Sequence, residues 1–185
     1  DVSFVFHIEK TADVVVDSLT AEISGIPSTM ELTTGLILAQ KTYKLLFRPT
    51  YAALPSAADS ASAETLRCEA SVSIPGIVRS HTEDMVTGPG ILQIAIYTHY
   101  DYEEEGTQRK AAKVFHAGIN LYHTLKERKS LQWDEEENGY RQASRSITVE
   151  IGSPLNIDKD GILNGGSTSP GLDQWIPGET FEIEV

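Results

Sequence analysis

Cysteine is nearly absent from this sequence: the 185 residues contain one, Cys68. A single thiol excludes an internal disulfide framework and any cysteine-rich zinc site. Cys68 falls in the alternating run Leu66, Cys68, Ala70, Val72, Ile74, which marks it as a buried apolar thiol rather than a reactive one. Basic residues are also scarce, 15 Lys and Arg against 27 Asp and Glu, giving a net charge of −12. That balance argues against nucleic acid and anionic membrane surfaces, both of which attract basic patches. Much of the acidity lies in two runs, Glu103-Glu104-Glu105 and Asp134-Glu135-Glu136-Glu137, which read as solvated loop tips. No stretch approaches the ~20 apolar residues of a membrane-spanning helix, and the opening residues do not read as a signal peptide. The chain starts on Asp1-Val2-Ser3-Phe4 already in strand register, so a fragment of a longer protein is expected.

Catalytic and cofactor fingerprints are missing as well. There is no G-x-S-x-G elbow, no phosphate loop and no G-x-G-x-x-G turn, and no cofactor is implied. The histidines His7, His81, His99, His116 and His123 fall on separate elements without an i, i+4 pair, which is poor spacing for zinc or catalysis. Helical period is limited to one short stretch, Asn120 to Lys129. Asn120 is the candidate N-cap there, and Lys126, Arg128 and Lys129 sit near the negative end of the helix dipole.

What the sequence does have is alternation. Val2, Phe4, Phe6 and Ile8 give a first strand with one apolar face. Val14 to Val16 with Leu19, Ala21 and Ile23 predict a second, ending at Gly25-Ile26-Pro27. Ser28 to Leu32 is a short third candidate, and Tyr43, Leu45 and Phe47 a fourth, closed by Pro49. Ala52 to Ala63 is small, polar and of low complexity, and is expected to be a surface loop. Strands follow at Thr65 to Ile74 and Gly90 to His99, with Arg79 to Pro89 as loop between them. Asp101 to Ala111 reads as a long hairpin connection, and Lys113 to Leu121 as the returning strand. Ile147, Val149 and Ile151 alternate again, as do Phe181, Ile183 and Val185 at the end. Between these last two lie the turn dipeptides Asp160-Gly161, Gly165-Gly166 and Pro170-Gly171. Eight or nine short strands separated by Gly/Pro turns predict one all-β domain, an antiparallel Greek-key β-sandwich. At this length a single domain buries roughly 70% of its unfolded surface without a covalent staple.

Two patterns carry weak ligand chemistry. Asn156-x-Asp158-x-Asp160-Gly161 has the oxygen-ligand spacing and glycine turn of a calcium loop, but the place of its bidentate Glu is taken by Ser167. A Gly-assisted turn between strands is the simpler reading. Trp133 and Trp175 could form a sugar-stacking platform, and the tyrosines Tyr97, Tyr100 and Tyr102 further stacking faces, while a lone tryptophan near a turn is more often a core plug or a sandwich-rim residue.

The stretch Leu19-Thr20-Ala21-Glu22-Ile23-Ser24-Gly25-Ile26-Pro27-Ser28, the stop at Ile74-Pro75-Gly76, and the ending Gly171-Leu172-Asp173-Gln174-Trp175 with Phe181-Glu182-Ile183-Glu184-Val185 resemble the fimbrillin and fimbrial-anchor proteins of Bacteroides-type bacteria. The resemblance covers most of the chain loosely and its last fifteen residues best. It implies the C-terminal, transthyretin-like sandwich domain of an anchor-like lipoprotein, exported to the outer membrane and working in surface pili or adhesion. Members carry an N-terminal domain and a lipid-bearing cysteine that this chain does not show, so the membrane would be reached only through that anchor. No catalytic residues or metal follow from the resemblance. Partners would be other fimbrial subunits or surface ligands, engaged by strand addition through the terminal strands, Val2, Phe4, Phe6 and Ile8 at one end and Phe181, Ile183 and Val185 at the other. The alternative from a different class is a surface glycan-binding module.

Overall fold

Alternation becomes pleat from the second residue on. The computed structural model describes residues 1–34, 37–55, 63–79, 88–128, 131–134, 139–142, 146–163 and 175–183. Strand β1 (Val2–Thr11) buries Val2, Phe4, Phe6 and Ile8 on one face, as its period requires. It pairs antiparallel with β5 (Ala63–Val72) along its whole length, from Val2 opposite Val72 to Thr11 opposite Ala63. A short strand, β4 (Thr50–Ala53), continues the sheet beyond β5. On the other side β1 is flanked by β10 (Ile147–Glu150) and β11 (Leu155–Ile157), both parallel to it. Gly152-Ser153-Pro154 separates these two strands, because proline has no N–H to give to a ladder. The parallel pairs are a departure from a purely antiparallel sheet. They are permitted because more than a hundred residues of chain separate β1 from β10, far beyond the dozen or so that a parallel crossover needs.

The second sheet is antiparallel throughout. Its strands are β2 (Val14–Met30), β3 (Ile37–Phe47), β6 (Leu92–Glu104), β7 (Thr107–Ile119) and β12 (Ile176–Ile183), in the order β12-β7-β6-β2-β3. The inner faces of the two sheets share one core, in which Phe4 and Phe6 from the first meet Leu19, Ile23, Ile94, Ile96 and Phe115 from the second. Two aromatic contacts cross the layers, Phe4 on Phe47 with centroids 6.0 Å apart and Phe6 edge-on to Trp175 at 5.4 Å. Tyr51 on β4 also reaches over, its hydroxyl donating to the carbonyl of Val16 at 3.0 Å. Full burial of each large side chain contributes about 1.5–3 kcal/mol, and this shared core holds the layers together. The molecule is an all-β sandwich with, among the described residues, one short helix, α1 (Leu121–Glu127), started by Asn120, whose side chain accepts from the His123 N–H at 3.0 Å. A small ribbon, β8 (Leu131–Asp134) with β9 (Gly139–Gln142), lies where no strand was expected.

Four expectations are corrected. β2 does not stop at Gly25-Ile26-Pro27; it continues to Met30 and absorbs the short third candidate, with register shifts at Ile23/Ile26 and Pro27/Thr29. The pairing of β2 with β6 ends at Ile23, so among the described residues Pro27 lies where β2 has a paired strand on one side only, and that is where a sheet tolerates proline. The long connection at Asp101 to Ala111 is instead a continuous ladder down to Glu104 opposite Thr107. It turns on Glu105 and Gly106, both at positive φ (51° and 76°), the type I′ geometry that suits the twist of a hairpin. Apolar alternation fails there because the ribbon is exposed on both faces. The expected loop at Ala52 to Ala63 gives up its ends to β4 and β5. The last strand begins at Ile176, earlier than the alternation at Phe181 suggests.

Candidate strand-addition edge

A two-sheet sandwich leaves strand edges, and each edge is a row of backbone donors and acceptors that something must satisfy. Among the described residues these edges differ. β4 is only four residues long. At β10, the Glu150 carbonyl accepts from the Arg128 guanidinium at 2.7 Å, so the end of α1 reaches over that edge. β3 is approached by β9. β12 pairs with β7 on one side, and among the described residues no strand pairs with the other.

The first half of β12 is blunted. Pro177 removes a donor, and the register shifts between Pro177 and Thr180. His116 on β7 fastens this bulge: its Nδ1 donates to the Glu179 carbonyl at 3.0 Å, and a carbonyl can only accept, so the proton is on Nδ1. Gly178 lies close enough that an added Cβ would stand 3.0 Å from the His116 Cβ. The second half, Thr180 to Ile183, is regular and runs opposite Phe115, Val114, Lys113 and Ala112. Phe181 is 50% exposed on the outer face, edge-on to the His116 ring at 5.5 Å. On the inner side Glu182 takes Lys113 at 3.1 Å, and the same Nζ donates to the Lys159 carbonyl at 2.7 Å and stands 5.5 Å from the centre of the Tyr100 ring. Burial alone would lower the Lys113 pKa; the hydrogen bond to Glu182, with the charges of Tyr100, Glu182 and Asp160, outweighs it and holds the ammonium above its ordinary range. Lys113 thus connects β7, β12 and the turn after β11 from one buried position.

The residues singled out from sequence fall into distinct settings. Val2, Phe4, Phe6 and Ile8 are core residues of a strand with neighbours on both sides. Ordinary pairing inside one sandwich accounts for them. Phe181 and Ile183 are on the β12 edge, and Val185 lies outside the described residues. In the calcium-loop pattern, Asp158 Oδ1 accepts from the N–H groups of Asp160 and Gly161 at 2.7 and 2.8 Å, while Leu163 N–H reaches the Asn156 carbonyl at 2.8 Å. That is the bonding of an Asx turn closing a tight reversal. His99 is paired through Nδ1 with both oxygens of Asp17, at 2.8 and 2.9 Å. Asp17 is the extra residue where β2 slips register against β6. His81, Ser167 and the turn pairs Gly165-Gly166 and Pro170-Gly171 are outside the described residues.

Of the possible stacking rings, Tyr100 and Tyr102 are tilted by 48° with centroids 6.2 Å apart, and Tyr97, an odd number of residues away from Tyr100, projects from the other side of β6. They do not form one flat platform. Trp175 is a plug, 5% exposed, against Phe6. Trp133 sits on the β8–β9 ribbon, opposite Tyr140. Cys68 is buried, and burial pushes its thiol up to about 12. Sequence reasoning missed Lys113 and His116 as the pins of β12. The signal was available for Lys113, a cation in the same register as the core residues Phe115, Ala117 and Ile119. Comparison with known proteins adds no relative: no family model, curated protein or solved structure matches the chain.

Proposed function

We propose that this chain is a non-enzymatic structural or adhesive domain of a cell-surface, fimbria-like assembly, and that it engages neighbouring subunits by strand addition at the edge of β12. The observation that carries the reading is the regular half of β12, Thr180 to Ile183, with no strand on its outer side among the described residues and a half-exposed Phe181 beside it. Added strands gain affinity from main-chain hydrogen bonds and specificity from alternate side chains, and Phe181 supplies an apolar contact for one of those. Glu182 is mostly exposed at the same edge, so the favoured partner strand is neutral or basic rather than acidic. Export, an outer-membrane location through a lipid anchor elsewhere in the full protein, and a transthyretin-like Greek-key connectivity belong to the same proposal, and their support is the sequence resemblance.

The test uses light scattering across protein concentration, together with cross-linking of a Phe181→Cys variant. Cys68 is buried and poorly ionised, so the introduced thiol is the reactive one. The expected result is association that grows with concentration, a dimer cross-linked through the introduced thiol, and loss of association in Phe181→Lys with unfolding shifted by no more than about 1 kcal/mol, because an edge lysine opposes pairing. A chain that stays monomeric and gives no cross-link overturns strand addition at β12.

A further inference from the structure

The second sheet has two edges, and they carry opposite charge. β12 contains Glu179 and Glu182, both exposed, and no basic residue. β3 contains Lys41 and Lys44, both exposed, is followed by Arg48, and has no acidic residue. Part of this charge is matched within the chain: Glu182 takes Lys113 at 3.1 Å, and Lys44 takes Glu22 at 2.6 Å. Glu179 on one edge and Lys41 and Arg48 on the other have no ion-pair partner among the described residues. Each edge also holds out an exposed apolar side chain, Phe181 at 50% and Leu46 at 71%. Register puts both on the outer face. Phe181 is opposite Val114 and Val114 opposite Tyr97, while Leu46 is opposite Glu22 and Glu22 opposite Gln93, which shares a face with Tyr97. On the side away from β2, β3 pairs with no strand among the described residues, as β12 does on the side away from β7. β9 comes near β3, but it forms no ladder there and at four residues cannot cover eleven.

Direction decides how two such edges can meet. Four antiparallel pairings lead from β12 to β3, an even number of reversals, so the two edge strands run the same way. Copies related by a two-fold axis would bring β12 against β12 or β3 against β3, and set glutamates against glutamates or lysines against lysines. Like charges facing each other across strands are destabilising. Copies that keep one orientation bring β12 of one against β3 of the next, in parallel, with opposite charges facing. From the opposite charge and common direction of these edges we infer that β12 pairs in parallel with β3 of a second copy of this chain, so that the sheet continues from molecule to molecule. The inference rests on strand addition at β12 and names the partner strand. Through Val114 and Tyr97, Phe181 stands level with Ser18, past the Ala21–Phe47 pair where β3 ends, so the next copy is offset along the strands. An offset of about four residues, ~13 Å, sets Phe181 beside Leu46. The contact uses a different surface on each partner, so it does not close into a two-fold dimer and builds longer assemblies.

The experiment treats the full chain carrying Phe181→Cys with a thiol-to-amine cross-linker and identifies the joined peptides by mass spectrometry, beside light scattering at low and high salt. The expected result is the introduced thiol joined to Lys41 or Lys44 of another copy, a ladder of species beyond the dimer, and association that weakens as salt screens the facing charges. Lys41→Glu combined with Lys44→Glu should weaken association by roughly tenfold, since two attractive charges become repulsive. Both side chains are exposed, so the core is untouched. Lys110→Glu combined with Lys126→Glu makes the same change in net charge away from β3 and should leave association within about twofold of the parent. A chain that stays monomeric overturns strand addition and this junction together. The junction alone is overturned if the chain associates but a thiol-to-thiol reagent joins the two introduced thiols while no β3 lysine is reached. It is equally overturned if the variant with both β3 lysines reversed associates like the parent.

Discussion

Strands β1 and β12 carry the same kind of sequence and end in opposite circumstances. Val2, Phe4, Phe6 and Ile8 alternate with smaller or polar residues, and so do Phe181 and Ile183. Yet Phe6 is almost fully buried between sheets, while Phe181 is half exposed at an edge. A period of two says that a segment is pleated and has a preferred face; it does not say how many strands lie beside it. β1 has β5 on one side and β10 and β11 on the other, so its ladder groups are used and its apolar face is covered. β12 has only β7 among the described residues. The sharpest way to break the comparison is to truncate one ring in each. Phe6→Ala removes a core side chain that also meets Trp175 and should cost about 3–5 kcal/mol in denaturant unfolding. Phe181→Ala should cost about 1 kcal/mol or less, mainly the His116 contact. Equal losses would mean that Phe181 is covered in solution.

The next effect concerns a backbone rather than a side chain. Gly25→Ala places a Cβ at positive φ and drives it against the Pro89-Gly90 backbone. The strain of a non-glycine residue there is about 1–3 kcal/mol, and the close approach adds to it. Thermal unfolding should show the loss, and the amide signals of Ser24 and Ile91, whose backbones are hydrogen-bonded to each other, should move with the displaced 88–91 segment while those of β12 stay in place. A variant as stable as the parent would show that the 88–91 segment is free to move away.

How much of this was legible depends on whether one residue or several neighbours carry the information. The core of β1 was legible because four alternate residues on one strand suffice, and the cap of α1 because Asn120 acts within its own turn. The pairing of β6 with β7 was legible, but the length of that hairpin was misjudged because its tip is polar on both faces, which erases the periodic signal although Glu105-Gly106 marks the turn. The edge position of β12 was partly readable, since Pro177 inside a strand demotes it to an edge. The grouping of the Glu22–Lys44 ion pair with Gln93 was not readable at all. Glu22, Lys44 and Gln93 are scattered over three strands, and only the pairing of β2 with β3 and β6 brings them together.

The smallest effect tests what ties β12 to the rest. Lys113 holds Glu182 from a buried position, but Glu182 is itself 76% exposed, so solvent screens the pair and Glu182→Gln should cost under about 1 kcal/mol. Its pH dependence identifies it. Because the folded-state pKa of Lys113 is raised, its contribution is fully present below the ordinary lysine value of 10.5 and is lost as pH rises through the folded value. Cys68 acts over an overlapping window: above the ordinary thiol value of 9.0 the unfolded chain releases a proton that the folded chain keeps until about 12, so stability falls with pH whichever residue stands at 182. The difference between parent and Glu182→Gln removes that common part. It should stay constant through neutral pH, shrink only above the lysine range, and diminish with salt. Hydrogen exchange should localise the loss to β12 and leave β1 protected. A difference that already disappears near neutral pH would show that Glu182 acts through some group other than Lys113.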